Sequence, residues 1–193
     1  MTQEIFAKPC VGAIIEKQVE GEKYILVQTR QKEDGEETNG MVEIPAGKIR
    51  EYEDIFSALR REVREETGLE VTRIQGEEDM VSIQVGGVTT ISFEPYCVTQ
   101  NLSGAYSIIL NTFRCEAEGD LLNSTNETQN IRWVSVSEVE RLVDEHPDKV
   151  FFMHLNALRK YLREQTLLDK KSVRPLANYA DIKLCRPDRK SVV

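Results

Sequence analysis

Three glutamates, Glu62, Glu65 and Glu66, stand at positions i, i+3 and i+4 of one polar segment. In a helix that advances about 100° per residue, Glu66 points within about 20° of Ile55, and Glu62 flanks the same line. Ile55 belongs to an apolar stripe that is expected to pack on a sheet, together with Phe56, Leu59 and Val63. A carboxylate in such a stripe is unfavourable unless it is paired or bound to a metal ion.

Neighbouring carboxylates on one helix face repel each other, so a positive group is expected among them. The candidates are the guanidinium of Arg61 and a hard divalent cation. Oxygen ligands suit Mg²⁺, which keeps waters and phosphate oxygens in its coordination shell. A solvated Glu/Arg-rich helix is the simpler interpretation, and it accounts for Arg60 and Arg64. It does not account for Glu66 in the apolar stripe.

The element that positions these carboxylates is a helix predicted over residues 54–67. Acidic residues crowd its start, where they complement the helix dipole, and Gly68 follows its end as a typical C′ residue. A short strand at 41–44 precedes it and ends at Pro45, which has no N–H for a strand ladder.

The remaining elements follow from β-branched enrichment, helical periodicity and turn residues. Strands are predicted at 9–17, 24–31, 70–74, 81–99 (a hairpin around Gly86 and Gly87), 107–117 and 131–134, and helices at 137–145 and 150–166. This mixture predicts an α/β or α+β class with a mixed sheet. We expect one domain over residues 1–166 and an extended or partly disordered C-terminal tail over 167–193.

The composition excludes several classes of protein. The chain has 193 residues, 40% hydrophobic and 30% charged, which is typical of one globular domain. Its net charge of −8 argues against long nucleic acid as a partner. No apolar run reaches the roughly 20 residues of a membrane span, and no secretory signal is visible, so we expect no membrane association and a cytoplasmic location. The four cysteines lack zinc-ligand spacing and are expected to be free thiols, mostly buried.

The polar segment matches a longer pattern. It reads Gly, five residues, Glu, seven residues, then Arg-Glu-aliphatic-x-Glu-Glu-x-Gly-aliphatic. Every position is met, by Gly47, Glu53, Arg61, Glu62, Val63, Glu65, Glu66, Gly68 and Leu69. The segment therefore resembles the Nudix box. The strand order from about residue 9 to 162 is also similar to the Nudix α/β/α sandwich with its mixed β-sheet.

The resemblance implies a divalent-metal-dependent hydrolase of diphosphate bonds, with Mg²⁺ (or Mn²⁺) as cofactor. The implied metal ligands are Glu62, Glu65, Glu66 and the backbone carbonyl of Ala46. Glu65, Glu66 and Arg61 are also candidates for catalysis. Arg61 is expected to pair with and orient the box glutamates, above all Glu53, which is a structural role more than a chemical one.

The general base is open in the family, since some members use a box glutamate and others a glutamate on a later loop. Here that loop is 123–130, and its one acidic residue, Glu127, is a candidate for the base or an extra metal ligand. The alternative is a merely solvated residue. Arg30 is a candidate for binding a substrate phosphate, with a surface salt bridge as the alternative. His146 and His154 are expected to be surface or packing residues.

The substrate is indicated by one short similarity. Residues 44–47, Ile-Pro-Ala-Gly, resemble the Leu-Pro-Ala-Gly of ADP-ribose and ADP-sugar pyrophosphatases, but the proline that these usually carry about fifteen residues after the box is missing. We expect a small nucleoside diphosphate derivative, best matched by an ADP-sugar, and possible homodimers as in relatives. The alternatives are a nucleoside triphosphate pyrophosphohydrolase and a non-catalytic nucleotide-binding Nudix module.

Overall fold

The computed structural model describes residues 4–32 and 37–172, with side chains as far as residue 168. Within these ranges the α-helices are α1 (Ile55–Thr67), α2 (Val136–Glu145) and α3 (Phe152–Ser172). The strands are β1 (Lys8–Val19), β2 (Glu22–Arg30), β3 (Val42–Glu43), β4 (Ala46–Lys48), β5 (Glu70–Ile74), β6 (Val81–Val85), β7 (Val88–Ser92), β8 (Cys97–Gln100), β9 (Ile108–Glu118) and β10 (Thr128–Ser135). None of the described helices is long and apolar enough to cross a membrane.

Eight of the strands form one mixed sheet. Its main path runs β10-β2-β1-β9-β5, with β3 beside β2, β4 beside β1 and β8 beside β9. The central strands β1 and β9 run parallel, and the other pairs in the sheet are antiparallel. A parallel pair at the centre requires cover on both faces, which fits the near-continuous apolar run of β1.

Alternation along β1 divides the core between the two faces of the sheet. Val11, Ala13 and Ile15 pack with α1, whereas Ile14 packs with α2 and α3. Successive strand residues point to opposite faces, so each layer of helices meets its own set of side chains. The predicted α/β class and α/β/α sandwich are therefore confirmed.

The bounds of α1 follow from its caps. The side chain of Asp54 accepts hydrogen bonds from the backbone N–H groups of Phe56 at 3.1 Å and Ser57 at 3.0 Å. Gly68 ends the helix with φ of 82°, and its N–H donates to the Arg64 carbonyl. Glycine adopts this left-handed conformation without the steric cost that a Cβ brings.

Two predicted elements differ from the structure, and one was missed. Over 81–99, β6 and β7 form their own hairpin while β8 joins the main sheet, and the break contains Pro95, which cannot donate into a ladder. The helix predicted to end at 166 continues to Ser172, so an extended conformation is wrong for 167–172; residues 173–193 lie outside the described part. The missed strand is β4, which pairs with β1.

Candidate active site

Glu66 lies inside the protein, as its position in the apolar stripe predicts. It is 6% exposed. Its Oε2 accepts one hydrogen bond from the side-chain Nε2 of Gln28 at 2.8 Å and another from the backbone N–H of Ala46 at 3.0 Å. The last turn of α1 is thereby joined to β2 and to β4, the strand that enters the box.

A second buried carboxylate, Glu43 of β3, shares this environment. It is 5% exposed and accepts from Nε2 of Gln28 at 3.4 Å and from Arg30 at 3.4 Å. Burial raises the pKa of Glu43, while the Arg30 charge opposes that rise. Burial and the nearby Glu43 charge together raise the pKa of Glu66 to about 8. The raised pKa values mean that this dry site disfavours two negative charges, which a proton or a bound cation would relieve.

Glu43 did not emerge from the sequence as a site residue. The available signal was an acidic residue in the apolar strand Met-Val-Glu-Ile directly before Pro45. Strand alternation alone assigns such a residue to the solvent face. Only the tertiary structure shows that Gln28 and Arg30 lie beside Glu43 and bind its carboxylate.

Arg30 lies in a buried ion pair, so the alternative of a surface salt bridge is wrong. It is 8% exposed, donates from Nε to the Thr38 hydroxyl at 3.0 Å and from a terminal nitrogen to the Tyr106 hydroxyl at 3.1 Å. Its guanidinium also lies 4.5 Å from the ring centroid of Phe151. A contact to substrate phosphate would compete with these partners and with Glu43, and it stays a prediction.

Arg61 makes the pair with Glu53 that the resemblance implies. Its guanidinium donates to both carboxylate oxygens of Glu53 at 2.7 Å, to Glu62 at 2.6 Å and to Glu65 at 3.2 Å. The Arg61 hydrogen bonds to Glu53 lower the pKa of that carboxyl to about 2, and the backbone N–H of Arg50 adds to this effect. A fifth bond, to the Lys48 carbonyl at 3.0 Å, ties the same side chain to the loop before the helix. Arg61 therefore fixes the position of the connection between β4 and α1 relative to the helix.

The present position of Glu62 leaves no room for a side chain at Gly47. A Cβ at residue 47 would overlap the carboxyl carbon and both oxygens of Glu62. The backbone of β4 thus passes directly against this carboxylate, whose side chain is 15% exposed. Any larger residue would displace the Glu62 carboxylate.

The three helix glutamates lie at different depths. Glu66 is buried, Glu62 is mostly covered and the side chain of Glu65 is 51% exposed. All offer the hard oxygen donors that Mg²⁺ prefers. Within residues 4–32 and 37–172, no three acidic, His or Cys side chains converge on one point, and Glu62 and Glu65 are bound to Arg61. The donor chemistry of these carboxylates fits a divalent ion.

Glu127 lies on the predicted loop and forms an ion pair with Lys32. Half of its side chain is exposed. The next residue, Thr128, donates from its hydroxyl to the Glu66 carbonyl at 3.4 Å, so the loop contacts the last turn of α1. Glu127 therefore directly precedes a residue that contacts α1. Its role as general base or metal ligand stays a prediction.

In the part of the chain that the structure describes, neither histidine side chain forms a hydrogen bond with the residues of this site. His154 is 1% exposed, packs against the Phe151 ring at a centroid distance of 5.4 Å, and burial lowers its pKa to about 3. His146 is exposed and ends α2. Cys10 and Cys115 are buried free thiols and Cys97 is partly buried, while Cys185 lies outside the described residues.

Comparison with known proteins identifies the family of the chain. A family model described as NUDIX domain matches residues 7–155. A NUDIX hydrolase from Nitrosomonas europaea has a TM-score of 0.58 at 18% identity, covering 86% of this chain and 75% of that one. The NUDIX domain of Shewanella oneidensis NrtR, solved with ADP ribose, has a TM-score of 0.58 at 14% identity, covering 85% and 90%.

A MutT protein from Methanosarcina mazei Go1 has a TM-score of 0.54 at 18% identity, covering 85% of this chain and 99% of that one. At these identities the structural likeness concerns the fold. No curated protein sequence matches the chain. The family match, by contrast, spans most of the chain and includes the whole segment from Gly47 to Leu69. The chain therefore belongs to the NUDIX domain family and is a hydrolase of phosphorus-containing anhydrides.

Proposed function

We propose that this protein hydrolyses the diphosphate bond of a nucleoside diphosphate linked to a second moiety, best matched by ADP-ribose or an ADP-sugar, with Mg²⁺ (or Mn²⁺) as cofactor. The observation that carries the proposal is the buried Glu66 carboxylate, held beside Glu43 at the end of a complete box. The Ile-Pro-Ala-Gly segment and the fold shared with an ADP-ribose-bound NUDIX domain support the substrate class.

Glu62, Glu65, Glu66 and the Ala46 carbonyl would hold the ion. When bound, a divalent ion supplies charge neutralisation at the phosphoryl oxygens and lowers the pKa of an attacking water. The chain itself supplies orientation. Gln28 and the Ala46 N–H hold one oxygen of Glu66, and Arg61 holds Glu62 and Glu65 on the same side of the helix.

For the general base we propose Glu127, with a box glutamate as the alternative. A base must lie within hydrogen-bond reach of the attacking water, directly or through one further water. Glu127 is half exposed, and its neighbour Thr128 contacts the backbone of Glu66, which supports a position beside the box. The ion pair with Lys32 would hold the Glu127 carboxylate in place until substrate binds. Arg30, which binds Glu43, orients that carboxylate and is the candidate contact for a substrate phosphate.

The test is a panel of nucleotide derivatives assayed with Mg²⁺ and with product identification. Cleavage of an ADP-sugar to AMP and a sugar phosphate supports the proposal. Release of pyrophosphate from a nucleoside triphosphate supports the alternative, a triphosphate pyrophosphohydrolase. Binding without turnover across the panel would support the non-catalytic module and contradict the proposal.

Substitution of Glu66 tests the metal assignment. Glu66→Gln keeps the side-chain volume and should abolish Mg²⁺-dependent turnover without unfolding the protein. Glu70→Gln is the matched control, since Glu70 is an exposed glutamate bound to Arg64 on the surface. Persistence of Mg²⁺-dependent turnover in Glu66→Gln would show that the ligand assignment is wrong. We further expect a small-molecule substrate and a cytoplasmic location, with a homodimer as a possible assembly.

A further inference from the structure

The turn that carries Glu127 is closed by two threonines. The backbone N–H of Thr125 donates to the Thr128 carbonyl at 2.8 Å, so Asn126 and Glu127 form the tip of a two-residue turn. Directly after the tip the chain enters β10, which pairs with β2 from its first residue onward. One end of the turn is therefore anchored in the main sheet, and the position of the tip depends on how the turn itself is held.

The side chain of Thr125 holds this turn from within. Its Oγ1 accepts hydrogen bonds from the backbone N–H groups of Glu127 at 3.2 Å and of Thr128 at 3.1 Å. It also lies 2.9 Å from the hydroxyl oxygen of Thr128. A hydroxyl group donates one proton and accepts up to two hydrogen bonds. Because the two N–H groups use both acceptor positions of Thr125, its proton is the one that joins the two hydroxyls.

The hydroxyl of Thr128 connects the turn to the box helix. Since this oxygen accepts from Thr125, its own proton is left for the backbone carbonyl of Glu66, which lies 3.4 Å away. Glu66 stands in the last turn of α1, where the carbonyl groups have no partner within the helix. Thr128 is fully buried, so this contact lies inside the protein. The two hydroxyls thus form a continuous series of hydrogen bonds from the backbone of Glu127 to the backbone of Glu66.

We propose that Thr125 is a positioning residue for the reaction, which holds the Glu127 carboxylate beside the end of α1. The inference rests on the proposed function, in which Glu127 is the general base. The ion pair with Lys32 restrains only the tip of the Glu127 side chain, and both partners are partly exposed, so water and salt weaken it. The bonds of Thr125 instead fix the backbone from which that side chain starts. A base acts only within hydrogen-bond reach of its water, and a displacement of about 1 Å can lower turnover by about a hundredfold.

Three substitutions on this loop separate positioning from general stability of the loop. Thr125→Val keeps the shape of the side chain and removes its three hydrogen bonds, whereas Thr125→Ser keeps the hydroxyl. Ser124→Ala is the matched control, because it removes an exposed hydroxyl from the neighbouring residue. The full chain is assayed with Mg²⁺ and ADP-ribose, or with the nucleotide of the panel that is cleaved fastest. Amide hydrogen exchange at residues 127 and 128 is measured without Mg²⁺ or substrate.

In Thr125→Val we expect kcat to fall about tenfold or more, while KM and the Mg²⁺ concentration for half-maximal activity stay within about twofold of the wild type. Misplacement of a base affects the transition state and leaves the binding of substrate and metal intact. The amides of Glu127 and Thr128 should exchange faster, because they lose their acceptor. Thr125→Ser and Ser124→Ala should resemble the wild type in all these measurements.

A double variant separates failure of this inference from failure of the base assignment. If Thr125 acts through Glu127, then Thr125→Val combined with Glu127→Gln should be no slower than Glu127→Gln alone. Wild-type kcat in Thr125→Val, beside a strong loss in Glu127→Gln, overturns the inference and leaves the base in place. Fully additive losses overturn it too, since Thr125 would then act independently of Glu127. Wild-type kcat in Glu127→Gln, or no cleavage of any nucleotide by the wild type, contradicts the proposed function and the positioning role with it.

Discussion

The side-chain Nε2 of Gln28 donates to Oε2 of Glu66 at 2.8 Å within the protein interior. The same nitrogen lies 3.4 Å from an oxygen of Glu43. A single amide on β2 thus holds the innermost box glutamate and stands between the two buried acids. Removing this donor should leave Glu66 with one fewer hydrogen bond in a dry environment, where an unmet polar group is unfavourable.

Gln28→Met should therefore lower both stability and activity. We expect a loss of about 1–3 kcal/mol in the free energy of unfolding, and a fall in turnover of about tenfold or more as Glu66 loses its orientation. Urea unfolding and a Mg²⁺-dependent assay measure the two effects. Gln165→Met is the matched control, because Gln165 is also buried and accepts a hydrogen bond from Lys23. Equal activity in both variants would contradict an orienting role for Gln28.

Gly47→Ala should displace Glu62, since the new Cβ overlaps that carboxylate. We expect a fall in turnover of about tenfold or more and a higher Mg²⁺ concentration for half-maximal activity. Gly12→Ala is the control: Gly12 also lacks a positive φ, and the closest atom to its Cβ would be a leucine methyl at 3.3 Å. If Gly47→Ala keeps wild-type Mg²⁺ dependence, close packing of Glu62 on Gly47 is not needed for function.

Arg61 and Arg60 provide a comparison between adjacent residues. Each makes a two-bond contact with one glutamate, Arg61 with Glu53 and Arg60 with Glu77, but Arg61 also holds Glu62 and Glu65. Lysine keeps the charge and loses the planar fork. Arg61→Lys should lower turnover by about tenfold or more, whereas Arg60→Lys should change stability alone. Kinetics and thermal unfolding of both variants separate these effects, and equal kinetic losses would refute the distinction.

His154 should make stability depend on pH. Its folded-state pKa lies near 3, below the ordinary value of about 6.5 in the unfolded chain. Between these values the unfolded state binds a proton that the folded state does not. The stability contribution is therefore complete above about pH 6.5 and declines as pH falls toward about 3, by up to about 1.4 kcal/mol per pH unit.

Replacing the histidine should remove this dependence. His154→Leu is expected to flatten the decline in unfolding free energy between about pH 6 and pH 4. Urea unfolding at several pH values measures it, with the exposed His146→Gln as control. The decline should be unchanged in the control. An unchanged decline in His154→Leu would show that other groups cause the acid destabilisation.

The amino-acid sequence by itself determined the fold class, the box helix and the depth of Glu66. These features depend on local periodicity and on chemically specific spacing, which leave their pattern in consecutive residues. The caps at Asp54 and Gly68 are local in the same sense, so the bounds of α1 were predictable to within one residue. The pair between Arg61 and Glu53 was implied by the resemblance to the family, because both residues occupy positions of the box, eight residues apart.

Tertiary structure alone decided what surrounds the box. Glu43 and Gln28 are separated from Glu66 by 23 and 38 positions, and only the pairing of β3 with β2 and the packing of α1 bring them together. Arg30 became a buried ion-paired residue for the same reason. The β6–β7 hairpin is likewise separate from β8 because β8 pairs with β9 in the main sheet. Long-range packing and pairing set these contacts, and no local pattern in the chain encodes which distant residue will be the partner.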